Sequence, residues 1–172
     1  MHDFASCKAA HDISCAHARS SSHQHATHSS QPLHYAVCAP TGHTYRTIEH
    51  VFQGTKIALV DPATALQFTL DSGHPIGAGD GHTAQQHRML VTLPPHKLEE
   101  WACMRDAVQL QAARSKYAAC ELARQVLLAT GDAQLWHAVP RGQPERFRHL
   151  EVLRGELRAA GGDPAALVAT GC

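Results

Sequence analysis

The order of apolar and polar positions from residue 47 onward has the 3.6-residue period of a helix. In TIEHVFQGTKIAL, the positions that recur at helical spacing are Ile48, Val51, Phe52, Thr55, Ala58 and Leu59. Thr47 is a suitable N-cap, because its hydroxyl can accept a hydrogen bond from an unpaired backbone N–H of the first turn. This pattern predicts a helix that begins after Thr47, ends near Leu59 and buries that face.

Capping signals predict a second helix directly afterwards. Asp61 is an expected N-cap, and Pro62 occupies the first helical position, where its missing N–H costs nothing. The pattern in ATALQFTL predicts that this helix continues to the Asp-Ser-Gly turn at 71–73.

The glycine-rich stretch PIGAGDGHTAQQHRML is predicted to form a loop. It lacks the GxGxxG spacing of dinucleotide-binding loops, and no convincing strand precedes it. Within it, Asp80 is expected to cap a short helix that carries His87 and Arg88.

The second half of the chain predicts three longer helices. Pro94 and Pro95 end an extended connector, and HKLEEWACMRDAVQLQAARSKYA forms the longest helix. CELARQVLLATGDAQLW and HLEVLRGELRAAGG follow, closed by Gly131 and by Gly161 or Gly162. The intervening HAVPRGQPERF is expected to be irregular.

The longest helix has one unusual position in its apolar stripe. Leu98, Trp101, Val108 and Ala112 share this stripe, and Arg105 interrupts it. A guanidinium on a face that should be buried needs a carboxylate partner or an anionic ligand. A structural salt bridge is the more frequent of these two answers.

These elements predict a mainly α fold. We expect a single compact helical domain over residues 32–160, with a small β-hairpin near the N-terminus, where PLHYAVCAPTGHTYRT offers two short extended pieces around a turn at 40–42. Residues 1–31 are predicted to be a disordered His/Ser-rich extension, and residues 161–172 a flexible tail.

Composition excludes some classes of partner. Among 172 residues, 15 Lys and Arg balance 15 Asp and Glu, so no strongly basic surface indicates nucleic acid. No apolar run approaches the ~20 residues of a membrane span. We therefore expect a cytoplasmic protein without a membrane partner. The Ser-rich, acid-poor start is also compatible with an organellar transit peptide, and the oligomeric state stays open.

The histidines and cysteines do not form a metal-binding pattern. Seven of the 15 histidines precede Tyr35 at irregular spacing, namely His2, His11, His17, His23, His25, His28 and His34. The six cysteines contain no CxxC pair and are expected to be reduced thiols. We predict no cofactor and no metal ion. Metal sequestration by the His-rich extension is a minor alternative.

Glu49 has two explanations at the start of the first helix. A carboxylate in the first turn stabilises the positive end of the helix dipole by roughly 0.3–1 kcal/mol. However, Glu49, Gln53 and Lys56 lie at i, i+4 and i+7, which places a carboxylate, an amide and an ammonium on one stripe. Such a stripe also suits a binding site.

Three segments, in order, resemble the NADAR (YbiA-like) family. The first is YRTIEHVFQGTK, which is similar to that family's motif at Tyr45, Thr47, Glu49, His50, Phe52, Gln53 and Lys56. The second is LEEWACMRDAVQLQAARSKYAACELARQVLLATGDAQLWH, with its Trp-centred helix and Leu-Leu-Ala-Thr-Gly-Asp-Ala signature, and the third is LRGEL. The resemblance covers residues 33–157. The family's Gly-Lys-Asn-x-Leu-Gly motif is absent, and WHAVPRGQPERFRHLEVLR stands in that region.

The resemblance implies a YbiA-like fold and an N-glycosidase. Members hydrolyse the bond between the anomeric carbon of a ribose phosphate and a nitrogen, in intermediates of riboflavin synthesis or in ADP-ribose derivatives. The family's functional Glu and Trp carry over to Glu49 and Trp101. The missing motif favours an alternative, a catalytically weakened module that binds ADP-ribose or another nucleotide.

The chemistry of this reaction suits the same residues. An oxocarbenium-like sugar needs a carboxylate that stabilises the cation and deprotonates a water, a role for Glu49. Asp132 is a candidate second acid, although a Gly-Asp after a helix is more often a turn. The expected substrate-binding residues are His50, Gln53, Lys56, Arg88, Trp101 and Arg105, with the cations holding the phosphate and the indole stacking on the base.

Overall fold

The computed structural model describes residues 37–38, 42–138, 142–165 and 167. The helices in these ranges are α1 (Ile48–Ala58), α2 (Pro62–Leu66), α3 (Pro75–Ala78), α4 (Gly81–Gln86), α5 (Pro95–Ala119), α6 (Glu121–Ala129) and α7 (Arg148–Ala159). The strands are β1 (Val37–Cys38), β2 (Thr44–Tyr45), β3 (Trp136–His137) and β4 (Glu145–Arg146). The prediction of a mainly α, compact fold with a small hairpin near the N-terminus is confirmed. Within the described ranges, no helix has both the length and the apolar character that a membrane span requires.

Two antiparallel pairs of very short strands accompany the helices. β1 pairs with β2 so that Val37 faces Tyr45, and both side chains are buried. β3 pairs with β4, with Trp136 opposite Arg146. His137 and β4 lie in the segment that was expected to be irregular. A two-residue strand is too short to show a period in the sequence, so the pattern did not predict this pair.

Helix α1 has the predicted bounds but a different buried face. The Thr47 hydroxyl accepts from the backbone N–H of His50 at 3.3 Å, and Leu59 is the C-cap. The buried residues are His50, Val51, Gln53, Gly54 and Ile57. Ala58, predicted to be buried, is exposed, and Phe52 is only half-buried. Because α2, α4 and α5 all pack on α1, burial extends to polar positions that the apolar pattern leaves out.

Helix α2 ends four residues earlier than predicted. Asp61 caps it by accepting from Thr64 N–H at 3.0 Å, but the helix stops at Leu66. The Thr69 hydroxyl then donates to the carbonyl of Leu66 at 2.8 Å, and residues 67–72 form turns and bends. Short hydroxyl side chains compete with helical backbone bonds in this way.

The glycine-rich segment contains two short helices instead of a loop with one. Asp80 caps α4 as predicted, accepting from Thr83 N–H at 2.8 Å. α4 ends at Gln86, so His87 is its C-cap and Arg88 lies beyond it. The preceding turn of helix, α3, begins at a proline and was not predicted.

Helix α5 passes through both apolar clusters of the core. Ala112 belongs to the cluster around α1, and the next residue, Ala113, to the cluster around α6 and α7. Trp101 is buried as predicted, whereas Leu98 is 48% exposed. The predicted stripe was therefore wrong at Leu98, which lines a cleft instead of the core.

Two buried arginines satisfy carbonyl groups at the ends of helices. Arg124 donates to the carbonyls of Tyr117 and Ala118, at 2.8 Å and 2.7 Å, near the end of α5. Arg154 of α7 donates to the Thr130 hydroxyl at 2.6 Å and to the Ala133 carbonyl at 2.9 Å, just beyond α6. Carbonyls at a helix end lack intrahelical donors, and Arg124 supplies such donors at the end of α5.

The predicted helix ends and chain ends have mixed outcomes. Gly131 and Gly161 follow α6 and α7 with positive φ angles of 56° and 63°, as expected for C-terminal caps. Leu167 is 1% exposed and packs in the second cluster, so the predicted flexible tail contributes one side chain to the core. The 1–31 extension and its histidines lie outside the described residues.

Replacing the buried Arg154 with Met should lower the free energy of unfolding by about 1–3 kcal/mol, because the hydrogen bonds from its charged group to Thr130 and Ala133 are lost. Arg158→Met, on the same helix, is the matched control. Its partner Asp132 is 96% exposed, and such surface pairs contribute about 0–1 kcal/mol. Urea unfolding of both variants measures the difference, and equal losses would contradict the assignment.

Gly77→Ala should destabilise the protein strongly, because an added Cβ would lie 2.1 Å from the Thr69 carbonyl oxygen. Gly155→Ala in α7 has no atom within 4 Å of the new carbon. That control should gain roughly 0.5–1 kcal/mol from helix propensity. Melting temperatures of the two variants should move in opposite directions.

Candidate functional site

The Glu49 side chain lies between α1 and the start of α4. It is half-buried, and its Oε1 accepts from Gln53 Nε2 at 2.8 Å. Gly81, the first residue of α4, is so close that an added Cβ would lie 3.6 Å from Glu49 Cβ. Glu49 is therefore held by a neighbour one turn later and is half-covered beside the start of α4.

Gln53 is the buried member of this pair. Its side chain is 5% exposed, and no described residue donates a hydrogen bond to its Oε1. A buried acceptor without a partner costs about 1–3 kcal/mol. Most buried polar atoms in native proteins do have partners, so this exception is a feature that the fold alone does not explain.

His50 is a structural residue, contrary to its predicted role in substrate binding. Its side chain is fully buried, with Nδ1 2.8 Å from Thr47 Oγ1 and Nε2 2.8 Å from the Ile76 carbonyl oxygen. A carbonyl only accepts, so Nε2 carries the proton and Nδ1 accepts from the Thr47 hydroxyl. Burial lowers the pKa of His50, and the Coulombic effect of Arg46 adds to this, while the Ile76 bond and the charges of Glu49 and Asp80 raise it. Both ring nitrogens are engaged within the protein.

Lys56 lines a cleft near the end of α1. The cleft has a volume of about 240 Å³, and its other lining residues are Met89, Val91, Thr92, Leu93 and Leu98. Among the described residues, Lys56 has no carboxylate within salt-bridge distance. Apart from Leu98 of α5, the remaining lining comes from the irregular segment between α4 and α5. That segment carries no periodic signal, and the sequence therefore did not indicate it.

Trp101 packs against α1 through Phe52. The two rings meet edge to face, with centroids 4.8 Å apart and planes at 75°. Trp101 is only 6% exposed. The indole is a core residue, as predicted, and little of its surface is left for the predicted stacking on a base.

The structure does not bring the other predicted residues to Glu49. Arg105 is exposed and lies 3.5 Å from its neighbour Asp106, so the expectation of a buried guanidinium was wrong. Arg88 is exposed and donates to the Gln85 carbonyl at 3.0 Å. Asp132 bonds to Arg158 at 2.6 Å, and this bond lowers the pKa of Asp132. Each of these three side chains thus has a local partner at the surface of the protein.

A second, more open cleft lies at the start of α7. Its volume is about 380 Å³, and it is lined by Arg146, Arg148, Glu151 and Val152. Arg146 is bonded to Glu151 at 2.8 Å. Arg146 lies in the HAVPRGQPERF segment, and the other lining residues lie on α7. Arg141 of that segment lies outside the described residues.

No metal centre is present within the described ranges, where no three or more His, Cys, Asp or Glu side chains are placed to hold an ion. Comparison with models of known protein families, with curated proteins and with solved structures found no match to this chain. The site is therefore argued from its own geometry.

The stability of the protein should fall as the pH is lowered from about 6.5. The unfolded chain protonates His50 near its ordinary pKa of 6.5, while the folded protein does so only at lower pH. The contribution of His50 reaches at most about 1.4 kcal/mol per pH unit. Urea unfolding between about pH 7 and pH 5 should show a smaller slope for His50→Gln than for the wild type. Identical slopes would contradict the assignment.

Proposed function

We propose that this protein is an N-glycosidase that hydrolyses the bond between a ribose-phosphate anomeric carbon and a nitrogen. The observation that carries the proposal is the half-buried Glu49 carboxylate, held by Gln53 on the helix that also carries Lys56, a lining residue of a cleft. The resemblance to the NADAR (YbiA-like) family supports the reaction class, with riboflavin-pathway intermediates or ADP-ribose derivatives as substrates.

Glu49 is the general base in this proposal. Its carboxylate removes a proton from a water molecule, whose oxygen bonds to the anomeric carbon as the C–N bond breaks. The electron pair of that bond leaves with the nitrogen, which then takes a proton from solvent. The negative charge of Glu49 also stabilises the cationic sugar at the transition state.

The substrate lies along α1 in this arrangement. Lys56 follows Glu49 by seven positions, which corresponds to about 10 Å along the helix axis at a rise of about 1.5 Å per residue. That is the order of length of a ribose phosphate. The sugar then contacts Glu49, and the phosphate reaches the Lys56 ammonium, which has no carboxylate partner among the described residues.

A binding module for ADP-ribose or a related nucleotide is the second candidate. The surface pairing of Asp132 with Arg158 favours this candidate. Asp132 is engaged by that pair and is then not the second acid of a hydrolase. Incubation with riboflavin-pathway intermediates and ADP-ribosyl compounds separates the two functions. Release of ribose phosphate supports the hydrolase, and binding without release supports the module.

Glu49→Gln should reduce turnover at least about 100-fold, because the amide is not a base. The fold should persist, since the Gln53 amide can still donate to the new side-chain oxygen. Glu99→Gln, an exposed position on α5, is the matched control and should retain full activity. Release of ribose phosphate and the melting temperature are measured for both variants. Unchanged turnover in Glu49→Gln would refute the proposal.

A further inference from the structure

Exposed apolar side chains gather at the Lys56 cleft. Eight large apolar side chains are exposed in the described ranges, and Met89 and Leu98, two of them, line this cleft. A third, Leu90, lies in the chain between the lining residues Met89 and Val91. Single apolar residues on a surface are ordinary, whereas a group of them marks a place where another molecule binds. This part of the surface therefore has the character of a binding site.

The polar groups that line the cleft can both donate hydrogen bonds. Val91 and Leu93 complete the apolar lining, and the polar side-chain groups are the Lys56 ammonium and the Thr92 hydroxyl. Lys56 is half-buried, and no carboxylate of the described residues lies within salt-bridge distance of it. Apolar walls lower the local dielectric below that of water, which strengthens the attraction of an ammonium to an anion. The cleft consequently offers a positive charge to an anionic ligand.

The size and the lining of the cleft together select the chemistry of the ligand. Its volume of about 240 Å³ suits one small apolar group, because drug-sized ligands occupy roughly 300–1,000 Å³. An inorganic anion would pair with Lys56 but leave the apolar walls in contact with water. A neutral apolar molecule would leave the ammonium unpaired. Met89 favours an aromatic ring over an alkyl chain, since a thioether sulfur makes favourable contacts with ring edges.

We infer that the Lys56 cleft binds a small aromatic phosphate ester. The phosphate pairs with the Lys56 ammonium, and the ring packs against Met89, Val91 and Leu98. The proposed function uses only Lys56 of this cleft, for the phosphate of a ribosyl substrate, and the inference goes beyond it by giving the apolar walls a ligand. Binding in the cleft does not depend on Glu49 acting as a base.

Equilibrium dialysis of the full chain with three compounds tests the inference. 1-Naphthyl phosphate carries both the ring and the anion, whereas 1-naphthol and inorganic phosphate carry one of them each. 1-Naphthyl phosphate should bind at least about tenfold more tightly than either of the other two, because burial of the ring and the charged contact both contribute.

Two variants separate the contributions of the charge and of the walls. Lys56→Met keeps an apolar side chain but removes the charge, and should weaken binding of 1-naphthyl phosphate about tenfold. Arg158→Met, which removes an exposed cation from α7, is its matched control and should bind as the wild type does. Leu98→Gln makes a wall polar and should weaken binding about threefold or more. Leu122→Gln is its control, because Leu122 is similarly exposed, at 55% against 48%, and lies on α6.

The inference would be overturned if 1-naphthyl phosphate does not bind, or binds no more tightly than inorganic phosphate or 1-naphthol. Wild-type affinity in Lys56→Met or in Leu98→Gln would overturn it as well. If Lys56→Met does not fold, the three compounds and the Leu98 variant decide. A separate assay for release of ribose phosphate distinguishes failure of the hydrolase proposal. Cleft binding without turnover retains the inference and removes the hydrolase, and turnover without preference for 1-naphthyl phosphate does the reverse.

Discussion

The buried imidazole of His50 is the contact on which the surroundings of Glu49 depend. One ring nitrogen is bound to the N-cap hydroxyl of α1, and the other holds the Ile76 carbonyl of α3, 26 residues later. This bridge, together with the bond from Arg46 to the Ala78 carbonyl, ties the glycine-rich segment to the first turn of α1. Glu49 is half-buried because that segment and the start of α4 lie beside it.

One glycine of this segment is needed for its packing. At Gly77 the backbone passes so near the Thr69 carbonyl that no side chain fits, whereas a Cβ at Gly81 would make only ordinary contacts with Thr47 and Glu49. Gly77 thus has a packing role. The segment forms one wall beside the carboxylate, and its tight packing keeps that wall in place.

The far side of the molecule is stabilised by charged groups that act on the backbone. Arg124 and Arg154 supply donors to carbonyls at and beyond the ends of α5 and α6. Glu151 accepts from the backbone N–H of Leu135 at 2.9 Å and from Arg146, and the Arg146 contact lowers the pKa of Glu151. These bonds tie the described parts of the connection between α6 and α7 to α7 itself.

Local signals in the sequence determined where several helices begin and where α6 ends. Thr47, Asp61 and Asp80 cap helices as their residue types predict, and Gly131 ends one, because each acts through bonds to its own backbone neighbourhood. The stripe of Glu49, Gln53 and Lys56 likewise follows from helix geometry alone. Only the tertiary structure decided which of these polar groups are buried, because burial depends on elements distant in the chain. His50 and Gln53 became interior residues when α3, α4 and α5 packed on α1, and Arg105 became a surface residue for lack of such a neighbour.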